Sequence, residues 1–400
     1  MRRERRCRQP RKARFGRRAP GGSSGLSQKF RLQEQIQNRL RTDPERSRIL
    51  YHRRPSAVSA LFTNFAGIPL RNPVVAAAGT CGYVDEIADA IDPALLGAII
   101  SKSITRHSRG GNPPWRMVGL PGAMFNAIGL ANVGVERFIA EKLPAAERLG
   151  TVLVASIAGN SVEDYVAIAA ALDERSAVQM AELNVSCPNT VDGLMFGEDP
   201  ASLLGLLREV RPALGRTKML VKLSPNVSDI VAMAAAAIEG GADGLSLINT
   251  ISAMSIDVRT RLPRLSNGRG GLSGPAIHPI AVRMVHDVHR SVARDAGVPI
   301  LGVGGVMCWE DAAEFILAGA TAVGMGTALF VDPRRPLTVL RGLERWVRDQ
   351  GCANVAELIG AVRPPAPAAA HGAAASAAGT DGAPGAGRPT GVAIAERSGR

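Results

Sequence analysis

The residues best suited to chemistry in this 400-residue chain are two lysines, one cysteine and a set of carboxamides, most of them at the ends of apolar runs. The run 177–183 opens into Asn184-Val185-Ser186-Cys187-Pro188-Asn189, where the proline stops a strand and leaves a thiol between two amides. A cysteine near neutral pH is a usable proton acceptor or nucleophile, and Asn supplies both donors and acceptors for reading the edge of a heterocycle. Lys102 and Lys222 also end apolar runs. A lysine there calls for an anionic partner, and beside a ring that gains electrons it stabilises the reduced anion. Asn126, Asn184, Asn189, Asn249 and Thr250 supply the groups to read a planar polar ring. No histidine ends an apolar run: His278, His286 and His289 fall in or before a helical pattern, which leaves Cys187 as the proton acceptor. Gly304-Gly305 and Gly326-Thr327 follow the last two runs. Glycine admits a phosphate to backbone N–H groups near a helix start, and the Thr327 hydroxyl adds a donor. The chain has no P-loop motif, so a cofactor with one terminal phosphate fits better than a triphosphate.

Eight apolar, strand-like runs must position these groups: 74–78, 98–102, 152–157, 178–184, 219–223, 244–248, 300–303 and 322–325. Amphipathic helical patterns lie between most of them, at 161–173, 202–214, 230–240, 280–296 and 309–319. Eight strand-plus-helix units close into an α/β (β/α)8 TIM barrel with functional groups at the C-terminal strand ends. A doubly wound open sheet is the alternative, but the first run is not followed by the G-x-G-x-x-G that such folds carry. Two connections, 105–136 and 251–275, are long enough to cover or complete a site.

The formal charge of +13 resides in the first sixty residues, which carry 18 Lys/Arg against four Asp/Glu. The remainder is close to neutral, so the folded body gives no reason to expect nucleic acid or an anionic membrane as partner. Five scattered cysteines without a C-x-x-C argue against a disulfide scaffold, a structural metal or an iron–sulfur cluster, and for a reducing compartment such as the cytoplasm. No run of eighteen apolar residues exists. The expected organisation is a basic, mostly disordered leader over 1–60, the barrel over 61–362 and an Ala/Pro/Gly-rich disordered tail over 363–400. Within the leader, 28–40 has the pattern of a short helix, and an organelle transit peptide is the alternative reading of its acid-poor start.

Six motifs in order, Asn126-Ala127-Ile128-Gly129-Leu130, Asn184 to Asn189, Val221-Lys222-Leu223-Ser224-Pro225-Asn226, Ile248-Asn249-Thr250, Gly271-Leu272-Ser273-Gly274-Pro275-Ala276-Ile277 and Gly302-Val303-Gly304-Gly305, resemble the class 1 dihydroorotate dehydrogenases. The first and fifth are most similar to the class 1B subgroup. The resemblance implies FMN held by Ala78, Lys102, Ser103, Ser156, Asn184, Lys222, Ile248, Gly274, Gly304, Gly305, Gly326 and Thr327. It implies dihydroorotate or orotate held by Lys102, Asn126, Ala127, Ile128, Gly129, Leu130, Asn184, Asn249 and Thr250. Cys187 is then the base that takes the C5 proton while hydride leaves C6 for the flavin.

The chain departs from the family pattern at Ala78 and Ser156, where Ser and Asn are usual, and in the segments 131–134 and 115–121. Relatives of class 1B pass electrons to NAD through an iron–sulfur FAD subunit. This chain has no four-cysteine cluster motif and no G-x-G-x-x-G, so the resemblance implies a partner of that kind on a homodimer, making a heterotetramer. Two other readings stand beside dihydroorotate oxidation in pyrimidine synthesis: a related flavin barrel acting on another dihydropyrimidine, and a barrel retained as a non-catalytic subunit.

Overall fold

A computed structural model describes residues 59–186 and 196–364. The leader with its expected helix, the tail from 365 onward, Cys187 and Asn189 lie outside the described residues. The body is a closed barrel of eight parallel strands: β1 (Val74–Ala76), β2 (Ala98–Ile100), β3 (Val152–Ile157), β4 (Met180–Asn184), β5 (Lys218–Lys222), β6 (Gly244–Leu247), β7 (Ile300–Val303) and β8 (Ala322–Met325). Each strand pairs with its sequence neighbour, and β8 returns to β1. All eight expected runs are strands, and the five expected helical patterns are helices.

Side chains alternate across each strand, and the alternation divides the core in two. Leu153, Ala155, Ala181, Leu183, Met219 and Val221 point outward and pack under the helices. Val75, Ile100, Val154, Met180, Leu220 and Leu301 point inward and fill the lower barrel. The same inward parity carries upward to Ser156 on β3, Glu182 and Asn184 on β4, Lys222 on β5 and Ser246 on β6. The interior is therefore hydrocarbon at the N-terminal end and polar at the C-terminal end. Helices start where polar side chains satisfy their first N–H groups: Ser161, Asp199 and Asp229 accept from Asp164, Ser202 and Val231 amides respectively.

Three features were not legible as strands. A hairpin, Thr63–Phe65 with Ile68–Leu70, turns through Ala66 and Gly67, both at positive φ, and its Phe65 and Leu70 plug the barrel floor. The long connections, which both contribute to the cavity described below, carry a four-stranded antiparallel sheet, Ile251–Ala253, Gly270–Ser273, Ala123–Asn126 and Met117–Leu120 in that order. A second, two-stranded sheet pairs Ile256–Asp257 with Leu262–Pro263. No helix among the described residues is long and apolar enough to cross a membrane.

The floor plug generates a stability prediction. Phe65 is buried and its ring lies so close to Gly244 that a Cβ there would sit 2.7 Å from it. Phe65→Ala should cost about 3–5 kcal/mol in urea unfolding while leaving the opposite rim unchanged; a loss below about 1 kcal/mol would show that the hairpin is not part of the core.

Candidate active site

The rim polarity of the barrel collects one cavity of about 530 Å³ at the C-terminal strand ends. Its lining includes Lys102 after β2, Asn184 and Lys222 at the ends of β4 and β5, Ile248, Asn249 and Thr250 after β6, Gly304 and Gly305 after β7, and Gly326 and Thr327 after β8. Ala78, Ser103, Asn126, Ile128, Leu130 and Gly274 also line it. Sixteen of the expected site residues thus converge, from segments spread over two hundred positions.

Three of the expected contacts stand elsewhere. Ser156 is fully buried and does not line the cavity; its hydroxyl hydrogen-bonds that of Ser103 at 2.9 Å, so it acts on the site through Ser103. Ala127 and Gly129 are scaffold: Ala127 donates its N–H to the Arg116 carbonyl at 2.9 Å, and Gly129, at φ 73°, is packed so tightly against Asn112 that a Cβ would lie 2.7 Å away. The unusual 131–134 segment has a structural reason. Buried Asn132 accepts from the Thr105 and Gly134 amides and donates to Thr105 Oγ1 at 2.7 Å, tying the loop to the end of β2.

The amides form a belt across three strand ends. Asn184 Nδ2 donates to Ser103 Oγ at 3.4 Å, Asn249 Nδ2 donates to Asn184 Oδ1 at 3.0 Å, and the Thr250 N–H donates to Asn249 Oδ1 at 2.8 Å. Such a chain fixes which way each carboxamide faces and leaves the remaining donors and acceptors for a ligand. Asn126 Nδ2 donates to the Gly271 carbonyl at 3.3 Å, within the rim sheet.

The glycines after β7 are held in shapes closed to other residues. Gly305 has φ 71°, and a Cβ on it would lie 2.7 Å from the Gly274 carbonyl and 2.8 Å from His278 Cβ. His278 bonds the Gly304 carbonyl through Nδ1 at 2.8 Å from behind. Thr327 Oγ1 donates to Ser273 Oγ at 3.0 Å on the adjoining wall. Backbone at Gly304, Gly305 and Gly326 is thereby open to the cavity, as a phosphate requires.

Electrostatics point the same way. The described lining holds Lys102, Lys222 and Arg116, and no carboxylate. Burial, with the Arg116 guanidinium adding to it, lowers the Lys102 pKa from the ordinary lysine value. A cavity of this size and charge suits a flat, anionic cofactor together with a small anionic substrate. Elsewhere, burial pushes the thiol of Cys81 up to about 12, and partial desolvation together with the carboxylates of Glu310 and Asp311 raises that of the exposed Cys308 to about 11, so neither offers a thiolate near neutral pH.

Arg116, Gly79, Thr80, Met124, Ser273 and Phe330 line the cavity without having been singled out. Gly79 and Thr80 follow the first run and satisfy the same rule, small or polar residues just past a strand, that identified the others. Arg116 and Met124 come from the rim sheet or its edge, for which the sequence carries no comparable pattern; Ser273 lies in the Gly271–Ile277 motif, of which only Gly274 was expected at the site.

The profile of the dihydroorotate dehydrogenase family matches residues 60–347. The catalytic subunit of dihydroorotate dehydrogenase B (NAD(+)) from Pelobacter propionicus is 48% identical over 300 residues, covering 75% of this chain and 97% of that protein. The proteins of the same name from Geotalea uraniireducens and Desulforudis audaxviator are 47% and 46% identical, over 76% and 74% of this chain and 98% and 95% of theirs. With the profile spanning the whole barrel and the relatives matched almost end to end, the chain belongs to the dihydroorotate dehydrogenase family.

Proposed function

We propose that this chain oxidises (S)-dihydroorotate to orotate in pyrimidine biosynthesis, as the FMN-bearing catalytic subunit of an NAD-linked enzyme. The observation that carries the reading is the single cavity that combines three cations and no described carboxylate with the glycine pairs of β7 and β8 and the amide belt of β2 to β6. A dihydropyrimidine without a carboxylate would leave Lys102 and Arg116 with no substrate anion to meet, which favours dihydroorotate over its uncharged analogues.

The residues then divide the work. Gly304, Gly305, Gly326 and Thr327 hold the FMN phosphate on backbone and hydroxyl donors, while Lys102, Ser103, Asn184 and Lys222 address the ring. FMN, when bound, supplies the two-electron acceptor that no side chain of this chain provides. Lys102, Asn126, Asn249 and Thr250 orient the substrate through its carboxylate and ring edge. Cys187 takes the proton from C5; it follows Ser186, the last described residue of the β4 end, and is itself outside the described residues. The thiol left on Cys187 returns its proton to water before the next turnover.

Electrons leave through a second subunit, in line with the relatives' name of catalytic subunit. The iron–sulfur FAD identity of that partner, its seat on a homodimer and a cytoplasmic location complete the proposal.

Three measurements test it. The purified chain should be yellow or become so with FMN, and dihydroorotate should bleach it anaerobically whereas dihydrouracil should not; equal bleaching by both would favour a different dihydropyrimidine, and failure to bind FMN a non-catalytic barrel. Cys187→Ala should retain FMN yet slow its reduction by dihydroorotate by about 10²-fold or more in stopped flow; an unchanged rate would remove Cys187 from the reaction. Orotate affinity should be full while Lys102 is protonated and should fall as pH rises through its depressed pKa, earlier than the ordinary lysine value of about 10.4. Lys102→Met should abolish that fall, and a wild-type affinity flat up to the ordinary lysine range would contradict the assignment.

A further inference from the structure

Beneath the cavity floor lies a charge that the proposed reaction does not use. Glu182 projects into the barrel from β4, on the inward parity of Met180, and is completely buried. Neither of its carboxylate oxygens accepts a hydrogen bond among the described residues. Its neighbour is Lys222: Glu182 Oε1 lies 3.9 Å from Lys222 Nζ, and the two side chains are 0% and 10% exposed. The register explains the meeting. Asn184 is opposite Lys222 on the adjoining strand, so Glu182 stands one inward position below and the lysine stem reaches back across it. Glu182 is absent from the cavity lining, whereas Lys222 is part of it.

An ionised carboxylate in such a place is strongly disfavoured unless a cation answers it, and the same holds for the ammonium. Hydrogen bonds do not supply the answer here: of the inward hydroxyls beside Glu182, Ser156 on β3 is paired with Ser103, and Ser246 on β6 has no partner among the described residues. We infer that Glu182 is a positioning residue: an ionised, buried counter-charge that fixes the Lys222 ammonium at the cavity floor and offsets the positive charge it presents to the bound ring. This inference rests on the reading of the cavity as an FMN site. On it, a two-membered pair of zero net charge, and not a bare cation, faces the ring, and Glu182 restrains how strongly the reduced form is favoured.

Glu182→Gln removes the charge and keeps the shape. In the full-length FMN-loaded protein the midpoint potential should then rise, the reduced form gaining about tenfold or more over the oxidised form in relative affinity, which is about 30 mV for a two-electron couple. Glu182→Asp should return it towards the wild-type value. An E182Q potential equal to wild type, or lower, would overturn the inference, whereas a wild-type protein that binds no FMN would instead overturn the proposed function. A second measurement is independent of flavin. In thermal unfolding of the protein without FMN, E182Q and K222Q should each lower the melting temperature, because each leaves a buried charge alone, and the double variant E182Q/K222Q should be more stable than the poorer single. This comparison holds even if a single variant fails to fold, because the double should then fold. Losses that add, up to failure of the double variant to fold at all, would show that the two groups are not a pair, and the inference would fall.

Discussion

Holding ammonium groups at the top of a barrel whose lower half is hydrocarbon is the constraint from which the rest of this site follows. Lys222 and Lys102 cannot be buried there without anions to meet them. The described lining of the cavity offers none, so the anions come from below, in Glu182, and from whatever occupies the cavity. The strand period of two does the sorting: the same parity that sends Val154, Met180 and Leu220 into the lower core sends Ser156, Glu182 and Lys222 into the upper one. A one-residue slip of β4 or β5 would place Glu182 or Lys222 under the helices and separate the pair.

Around that constraint the belt from Ser156 through Ser103, Asn184 and Asn249 to Thr250 works as a single unit. Each member is held by the one before it, so a change at a residue that never meets the ligand can still turn an amide that does. Ser156 illustrates this. Its hydroxyl reaches the cavity only by way of Ser103, which is why a departure from the family pattern at this position is compatible with an intact rim.

Much of this was readable in the residues themselves. Continuous apolar runs ending in Lys, Asn or paired Gly identify buried parallel strands and their C-terminal ends together, because only the ends can carry groups that solvent or ligand must satisfy. The rim sheet was not readable in the same way. Gly270–Ser273 and Met117–Leu120 are short and lack apolar alternation, and their pairing with Ala123–Asn126 is decided by contacts distant in sequence. Arg116 was missed for that reason. The orientations of Ser156, Ala127 and Gly129 also depend on register and loop packing, which a motif does not encode. Glu182 was passed over as one polar residue within an apolar run, although its even spacing from Met180 and Asn184 places it on the same face.

The central claim is that one rim cavity holds both a mononucleotide ring and a carboxylated pyrimidine. It is tested most directly by a crystal structure of the full chain grown with FMN and orotate. The account predicts the phosphate on Gly304, Gly305, Gly326 and Thr327, the flavin ring beside Lys222, and orotate between that ring and Cys187, with its carboxylate met by the amide belt and Lys102. Phosphate density away from the β7 and β8 ends, or orotate bound outside the cavity, would contradict it.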